Sequence, residues 1–341
     1  MARILVTGGT GYIGSHTVVE LMQSGFEVLI VDNLSNSNIQ VLDGIEKIVG
    51  RRPDFAQLDV ADLPKMRELL EKYTDIVAVI HFAASKAVGE SVEKPLLYYR
   101  NNVLSLVNLL EVMKERGITN LVFSSSCTVY GQPSKEHLPV DETAPIQPAL
   151  SPYGNTKQIN EEIIRDEAHA DSSLNAIILR YFNPIGAHPS ALIGELPNGV
   201  PNNLLPFVTQ TAAGLRKELK IFGNDYNTPD GSCIRDYINV VDLAKAHVVA
   251  VNRMLKVELR DRVEYFNLGT GRGLSVIEIV DTFEKVTGVK VPHTIVGRRE
   301  GDIEKVWADP RKANEVLGWK ATATVEETLL SAWNWQRHLS E

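Results

Sequence analysis

Short, continuously apolar runs alternate along this chain with stretches of helical period. Ile4-Leu5-Val6, Val28-Leu29-Ile30-Val31, Ile76-Val77-Ala78-Val79-Ile80 and Leu121-Val122-Phe123 are apolar at every position, and residues 175–182 carry Ala176-Ile177-Ile178-Leu179 at their middle. Such runs read as strands covered on both faces, the mark of a parallel sheet. Residues 53–59 read as a further strand closing on Asp59-Val60. Asp59 then lies at the carboxyl edge of the sheet, where ligands bind, or caps a helix. Between the runs, Ile13, Thr17 and Leu21 recur four apart, with Val18 and Met22 on the adjoining face. Over residues 95–115, Val103, Leu106, Val107 and Leu110 keep the 3/4 spacing, and Leu109 and Met113 start a second apolar face. A helix apolar on two sides is buried on both, against the core and a partner subunit or inside a larger core. The alternation predicts an α/β fold with a Rossmann-type, doubly wound parallel sheet. After Asn183-Pro184, proline and glycine become frequent and the patterns shorten. That shift predicts one domain over 1–182 and a smaller α/β domain over 183–341, with some segments returning to the first.

The first strand runs into Gly8-Gly9-Thr10-Gly11-Tyr12-Ile13-Gly14, a helical pattern follows, Gly25 stands at its expected C-terminal stop, and the second strand ends at Asp32. Strand, glycine loop, helix, strand and acid together read as a dinucleotide-binding unit. Glycines let backbone amides approach a pyrophosphate at the positive helix N-terminus. Asp32, 18 residues past Gly14, is placed to accept hydrogen bonds from an adenosine ribose. Its charge repels a 2′-phosphate, which favours NAD over NADP.

Composition changes this picture little. The 341 residues are 44% hydrophobic and 23% charged, ordinary globular material, and the net charge of -8 argues against a nucleic-acid partner. Cys127 and Cys233 stand far apart in no metal-ligand pattern, which predicts no metal and a reduced, cytoplasmic protein. No apolar run approaches membrane-spanning length, and no signal-peptide pattern opens the chain.

Catalytic chemistry enters at Ser151-Pro152-Tyr153-Gly154-Asn155-Thr156-Lys157. Ser151 is a good N-cap and Pro152 a good first helical residue, so Tyr153 and Lys157 stack at i and i+4. A tyrosine is a poor base at neutral pH, since it ionises near ~10. The lysine ammonium and a positively charged nicotinamide both favour the phenolate. A downward shift of about three units requires roughly 4 kcal/mol. Such a phenolate takes a proton from an alcohol while NAD takes the hydride from the same carbon. Ser126, ending the serine run Ser124-Ser125-Ser126, is placed to hydrogen-bond that oxygen or relay its proton.

Together these motifs resemble the extended short-chain dehydrogenase/reductase superfamily and, within it, the UDP-glucose 4-epimerase family. Further matching stretches are His81-Phe82-Ala83 with Lys86–Ser91, Tyr98-Tyr99 with Asn101–Val103, Leu179–His188, Gly199–Leu204, Ile221–Asp225, Arg235–Ile238 and Arg298–Asp302. The resemblance covers essentially the whole chain. It implies reversible C4 epimerisation of a UDP-hexose through a 4-keto sugar, with tightly bound NAD as a resident cofactor. It implies cofactor contacts at Gly8, Gly11, Tyr12, Ile13, Gly14, Asp32, Asn33, Asn36, Ser37, Asp59, Val60, Phe82, Ala83, Ala84, Lys86, Asn101, Ser124, Tyr153, Lys157 and Tyr181. Substrate contacts are implied at Lys86, Ser126, Tyr153, Asn183, Asn203, Leu204, Lys220, Ile221, Phe222, Arg235, Arg299 and Asp302. Val306, just before Trp307-Ala308-Asp309-Pro310, lines the wall beside C2 of the hexose by the same match. A valine there sets the wall back and suggests that UDP-N-acetylglucosamine is also accepted. The superfamily's dimers imply a homodimer with two helices from each subunit, residues 95–115 and the helix from Tyr153. A sugar-nucleotide 4,6-dehydratase on the same fold carries an Asp-Glu pair where this chain has Ser126-Cys127. The other rivals are an alcohol dehydrogenase that releases its reduced cofactor and a non-enzymatic NAD sensor.

Overall fold

The computed structural model describes residues 2–299 and 302–340, so Glu300 and Gly301 of the Arg298–Asp302 motif lie outside the described residues. Six strands appear in chain order: β1 (Arg3–Thr7), β2 (Glu27–Asp32), β3 (Asp54–Gln57), β4 (Ile76–His81), β5 (Asn120–Ser126) and β6 (Asn175–Tyr181). A seventh comes from far downstream. With the shorter strands β7 (Asn183–Ile185), β8 (Leu219–Phe222) and β9 (Ile234–Asn239) between, β10 (Val263–Leu268) lies beside β6. The sheet order is β10-β6-β5-β4-β1-β2-β3, parallel throughout. β1 pairs with β2 on one side and β4 on the other, so the winding reverses at β1 and opens a crevice at its carboxyl end.

Alternation along β1 supplies two cores. Ile4 and Val6 face α1 (Tyr12–Gln23), α2 (Val41–Val49) and a helix from the second half of the chain, Val240–Leu255. Leu5 faces the opposite layer, made by α3 (Leu63–Lys72) and further helices. Those are α6 (Leu104–Arg116) and α7 (Pro152–Ala170), with α4 (Val88–Glu93) and α5 (Pro95–Tyr98) packed on α7. Residues 95–115 are helical throughout, as the spacing predicts, but a π turn over Tyr99–Val103 joins α5 to α6. The second apolar face does not look outward. Leu106, Leu109, Leu110 and Met113 all enter the same core, whereas Leu96, Leu97 and Leu104 are exposed.

The second layer holds α8 (Leu204–Ala212), β11 (Gly273–Ser275), α10 (Val276–Thr287), β12 (His293–Val296), β13 (Lys305–Val306) and α11 (Val325–His338) around Ile185, Val208, Ile221 and Phe283, with α9 being the Val240–Leu255 helix above. β9 pairs with β7, β11 and β13, and β8 pairs with β12. The stretch from Val240 to Leu268 thus belongs to the first layer, although it follows residue 183 in sequence. Trp333, on α11, packs edge-on against Phe283 in this core.

Candidate active site

The loop between β1 and α1 is closed by glycine geometry. Gly8 has φ +71°, and a Cβ on Gly14 would lie 2.2 Å from the Gly8 carbonyl oxygen. α1 opens at Gly11 with no side-chain cap and no acid in its first turn, which leaves its N-terminal amides to an anion. Asp32 ends β2 and is held from three sides: Thr10 N and Leu34 N donate to its carboxylate at 3.2 and 2.9 Å, and Ser37 Oγ at 3.1 Å. Asn33 Nδ2 reaches Asp59 Oδ2 at 3.1 Å, and Asp59 also receives Ala61 N. Asp59 lies beyond β3 in a loop, and the N-cap of α3 is Asp62 rather than Asp59. Val60 is buried, and Asn36 is exposed.

After β4 the chain passes through Phe82, Ala83 and Ala84 to Lys86. Phe82 N donates to Thr7 O, so this loop lies directly over the glycine loop. A Cβ on Gly8 would meet Ala83 N at 2.8 Å. The π turn fixes the loop's far end: Asn102 receives Ser85 N at 2.8 Å and donates to Ser85 O and Thr156 Oγ1, both at 3.0 Å. Asn101 Nδ2 reaches Ser85 Oγ at 3.0 Å. Tyr12 donates to Gly186 O at 2.6 Å, and Tyr181 shares a 2.6 Å hydrogen bond with His247. Ile13 packs half-buried beside the first core.

Tyr153 and Lys157 share one face of α7, whose N-cap Ser151 accepts from Gly154 N at 3.1 Å. Lys157 Nζ donates to Ser124 O at 2.6 Å and lies 5.9 Å from the centre of the Tyr153 ring. The Ser126 hydroxyl meets the phenol and lowers its pKa, but burial dominates and pushes Tyr153 up to about 12. Burial also pushes Lys157 down to about 8, opposed by the charge of Glu161. Burial by the protein's own residues thus favours the neutral phenol, and the phenolate needs the further positive charge of a nicotinamide. The ammonium donates to the Ser124 carbonyl, and desolvation is the largest influence on the phenol.

Glu161 is one further turn along the same face. Its carboxylate is gripped by Arg180 at 2.6 and 3.0 Å and by Ser125 Oγ at 2.5 Å. The serine run therefore holds three successive positions of one helix face: Ser126 meets Tyr153, Ser124 meets Lys157 and Ser125 meets Glu161. Extending the four-residue spacing from Lys157 by one step would have found Glu161 in the sequence.

On the second layer, Asp302 lies between two arginines. Arg299 donates to it at 2.7 Å, and Arg235 stands 4.0 Å away. The Arg299 guanidinium lies 5.4 Å over the ring of Phe222. Val306 pairs with Arg235 in register and packs with Cys127, the residue after Ser126. Asn183 begins β7, and its Oδ1 is buried with no partner among the described residues. Asn203 is the N-cap of α8, Leu204 its first residue. Lys220 is exposed, while the Ile221 side chain is buried in the second-layer core, which leaves only its backbone to face a ligand. Glu195, which carries no sequence signal, accepts from Asn203 Nδ2. Among the described residues no group of side chains has the makings of a metal site.

A parallel sheet with a glycine loop at its winding reversal, and a Ser-Tyr-Lys set beside that loop, defines a nucleotide-dependent short-chain oxidoreductase scaffold. A family model described as GDP-mannose 4,6 dehydratase matches residues 5–331. A UDP-glucose 4-epimerase from Homo sapiens is 49% identical over 98% of this chain and 96% of its own length. The UDP-glucose 4-epimerase of Stenotrophomonas maltophila, crystallised with NAD and formylated UDP-arabinopyranose, superposes with TM-score 0.95 at 48% identity, covering 100% of this chain and 99% of that one. That from Bifidobacterium longum, in complex with NAD+ and UDP, gives TM-score 0.94 at 45% identity, covering 99% and 98%. The chain belongs to this family of epimerases.

Proposed function

We propose that this protein interconverts UDP-galactose and UDP-glucose by inverting C4, with NAD as its resident cofactor. The observation that carries the reading is the convergence of Ser126, Tyr153 and Lys157 with a second-layer cluster of Arg235, Arg299 and Asp302. The first set handles a hydroxyl proton; the second suits a diphosphate and a ribose. NAD fits the first layer: the Gly8–Gly14 approach leaves no room for a Cβ, and the uncapped α1 N-terminus and the Asp32 carboxylate suit a pyrophosphate and an adenosine ribose. When bound, NAD supplies the hydride acceptor and donor.

Tyr153 takes the proton of the 4-hydroxyl, and its phenolate is stabilised by the ammonium of Lys157 and the positive charge of a bound nicotinamide. Ser126 hydrogen-bonds the same sugar oxygen. Arg235, Arg299 and the Asn183 and Asn203 amides hold the UDP end, so the transient 4-keto sugar turns without leaving. Tyr153 then returns the proton with the other face presented. Concentrating the binding interactions on UDP leaves the hexose free to turn. Lys220, Ile221 and Phe222 line the nucleotide side by backbone and ring. The dehydratase reading lacks its acid and base: Ser126 and Cys127 stand in their place, and burial pushes the Cys127 thiol up to about 11.

In this reading the enzyme works in the cytoplasm, with both cysteines free, and pairs as a homodimer. Purified protein converts UDP-galactose to UDP-glucose without added NAD. Tyr153→Phe lowers kcat at least about 100-fold and keeps UDP affinity. Absence of turnover in the wild type, or full turnover in the variant, overturns the assignment. Val306 sets the wall beside C2, so UDP-N-acetylglucosamine is turned over as well, and Val306→Tyr suppresses that activity about 10- to 100-fold while sparing UDP-galactose. The check is kcat/KM for both sugars in both proteins, and a wild type inactive on the N-acetyl sugar places the wall elsewhere.

A further inference from the structure

Glu195 belongs to none of the motifs that mark the site, yet the two layers meet at its carboxylate. Oε1 accepts Asn203 Nδ2 at 2.5 Å and faces Lys86 Nζ at 3.5 Å. Lys86 comes from the loop after β4, and Asn203 opens α8. The Glu195 side chain is only 13% exposed, whereas that of Lys86 is 46% exposed. A carboxylate so enclosed is costly to leave unpaired, and these two donors are the partners that the described residues give it.

The backbone that carries Glu195 is fixed from behind. Trp335 Nε1 donates to its carbonyl oxygen at 2.9 Å. The indole also fills the space beside Gly194, where an added Cβ would lie 2.5 Å from ring atoms. Ala187 bridges Gly194 across the same segment, and the preceding residue, Gly186, accepts the Tyr12 hydroxyl. Glu195 therefore sits on a rigid support and presents its charge to two flexible donors.

We infer that Glu195 is a positioning residue, which holds Lys86 and Asn203 in place across the site before the sugar nucleotide arrives. The inference rests on the epimerase reading above and adds the source of its ready-made substrate pocket. Ordering a lysine and an asparagine on binding weakens affinity; ordering them during folding removes that loss. The role predicts an effect on substrate binding rather than on the proton-transfer step.

The test is steady-state kinetics on UDP-galactose with the NAD-loaded protein, comparing wild type, Glu195→Gln, Glu195→Ala, Asn203→Ala and the Glu195→Ala/Asn203→Ala double variant. A charge-assisted hydrogen bond is worth about tenfold or more in affinity. Glu195→Ala is therefore expected to raise KM about 10-fold, with kcat within about 3-fold of wild type. Glu195→Gln keeps an oxygen for Asn203 but no charge for Lys86, and its KM rises by less. The double variant is expected to lose less kcat/KM than the product of the two single losses, because Glu195 acts in part through Asn203 and in part through Lys86. Strict additivity, or an unchanged KM in Glu195→Ala, overturns the inference. If Glu195→Ala does not fold, the near-isosteric Glu195→Gln decides: a raised KM at unchanged kcat supports the role, and an unchanged KM overturns it. A wild type that turns over no UDP-galactose overturns the functional reading itself, a different failure from an active enzyme indifferent to Glu195.

Discussion

Burial acts in opposite directions on the two residues at the centre of the site. Tyr153 is raised to about 12 and Lys157 lowered to about 8, each toward its neutral form. Below pH about 8, Lys157 keeps its proton and its ammonium favours the phenolate; above it, that support is withdrawn. The pH profile of kcat/KM therefore falls as pH rises through about 8, an effect of the free enzyme. Glu161 raises the Lys157 pKa, so Glu161→Gln moves this fall to lower pH. Lys157→Met abolishes this fall and lowers activity across the profile, because the tyrosine loses its cationic neighbour. Profiles identical in all three proteins rule the pairing out. The same shift has a sign for stability. The unfolded lysine holds its proton to a higher pH than the folded one, so between about 8 and the ordinary lysine range this group's contribution becomes more favourable as pH rises. Arg180 keeps the Glu161 charge in place. Removing one partner of such a buried pair costs roughly 3–5 kcal/mol, so Glu161→Gln is read alongside thermal unfolding.

Elements carry the binding geometry. The β1–α1–β2 unit joins the glycine loop and Asp32, and the carboxylate does two jobs. In the proposed function it repels a 2′-phosphate, and in the structure it ties Thr10 of the glycine loop to Leu34 and Ser37 beyond β2. Asp32→Ala is therefore expected to lower the NAD retained through purification and to reduce discrimination against NADP. Nucleotide released on denaturation, together with NADP binding, measures both. A variant that retains as much NAD as wild type and still rejects NADP confines Asp32 to its structural role. The π turn is the element that sequence patterning misses. Its extra residue turns Asn101 and Asn102 together toward Ser85, and Asn102 ties that loop to Thr156 between Tyr153 and Lys157. A wider turn within a helix is a recurrent feature of functional sites.

At the scale of the whole molecule, several exposed apolar residues fall along the edge made by α4, α5 and α6. Val92, Leu96, Leu97 and Leu104 lie on α4, α5 and α6, and Ile146 and Leu150 precede α7. α4 and α5 both pack on α7. Exposed apolar residues grouped in this way supply the surface that the proposed interface needs. The proposed homodimer pairs this edge with its copy, two helices from each subunit. Sedimentation equilibrium at micromolar concentration is expected to give a dimer, and Leu96→Glu/Leu104→Glu a folded monomer. A wild-type monomer under those conditions removes the dimer. The proposed pairing rests on this edge and not on the second apolar face of the helix, since Leu109 and Met113 are spent on the protein's own core.

What the sequence determined is what neighbours along the chain decide. Apolar runs made the strands; glycines at positions 8, 11 and 14 made the loop; Ser151 and Pro152 started α7, so Tyr153 and Lys157 had to share a face. Each depends on residues within a few turns of one another, and periodicity records such relations. The tertiary structure alone decided that residues 263–268 complete the sheet, that Glu161 meets Arg180 and that Glu195 meets Lys86, 109 positions away. It also decided the direction in which burial moves the Tyr153 and Lys157 pKa values. Contacts between distant segments leave no period in the sequence, and desolvation depends on everything packed around a group, which no single stretch of chain contains.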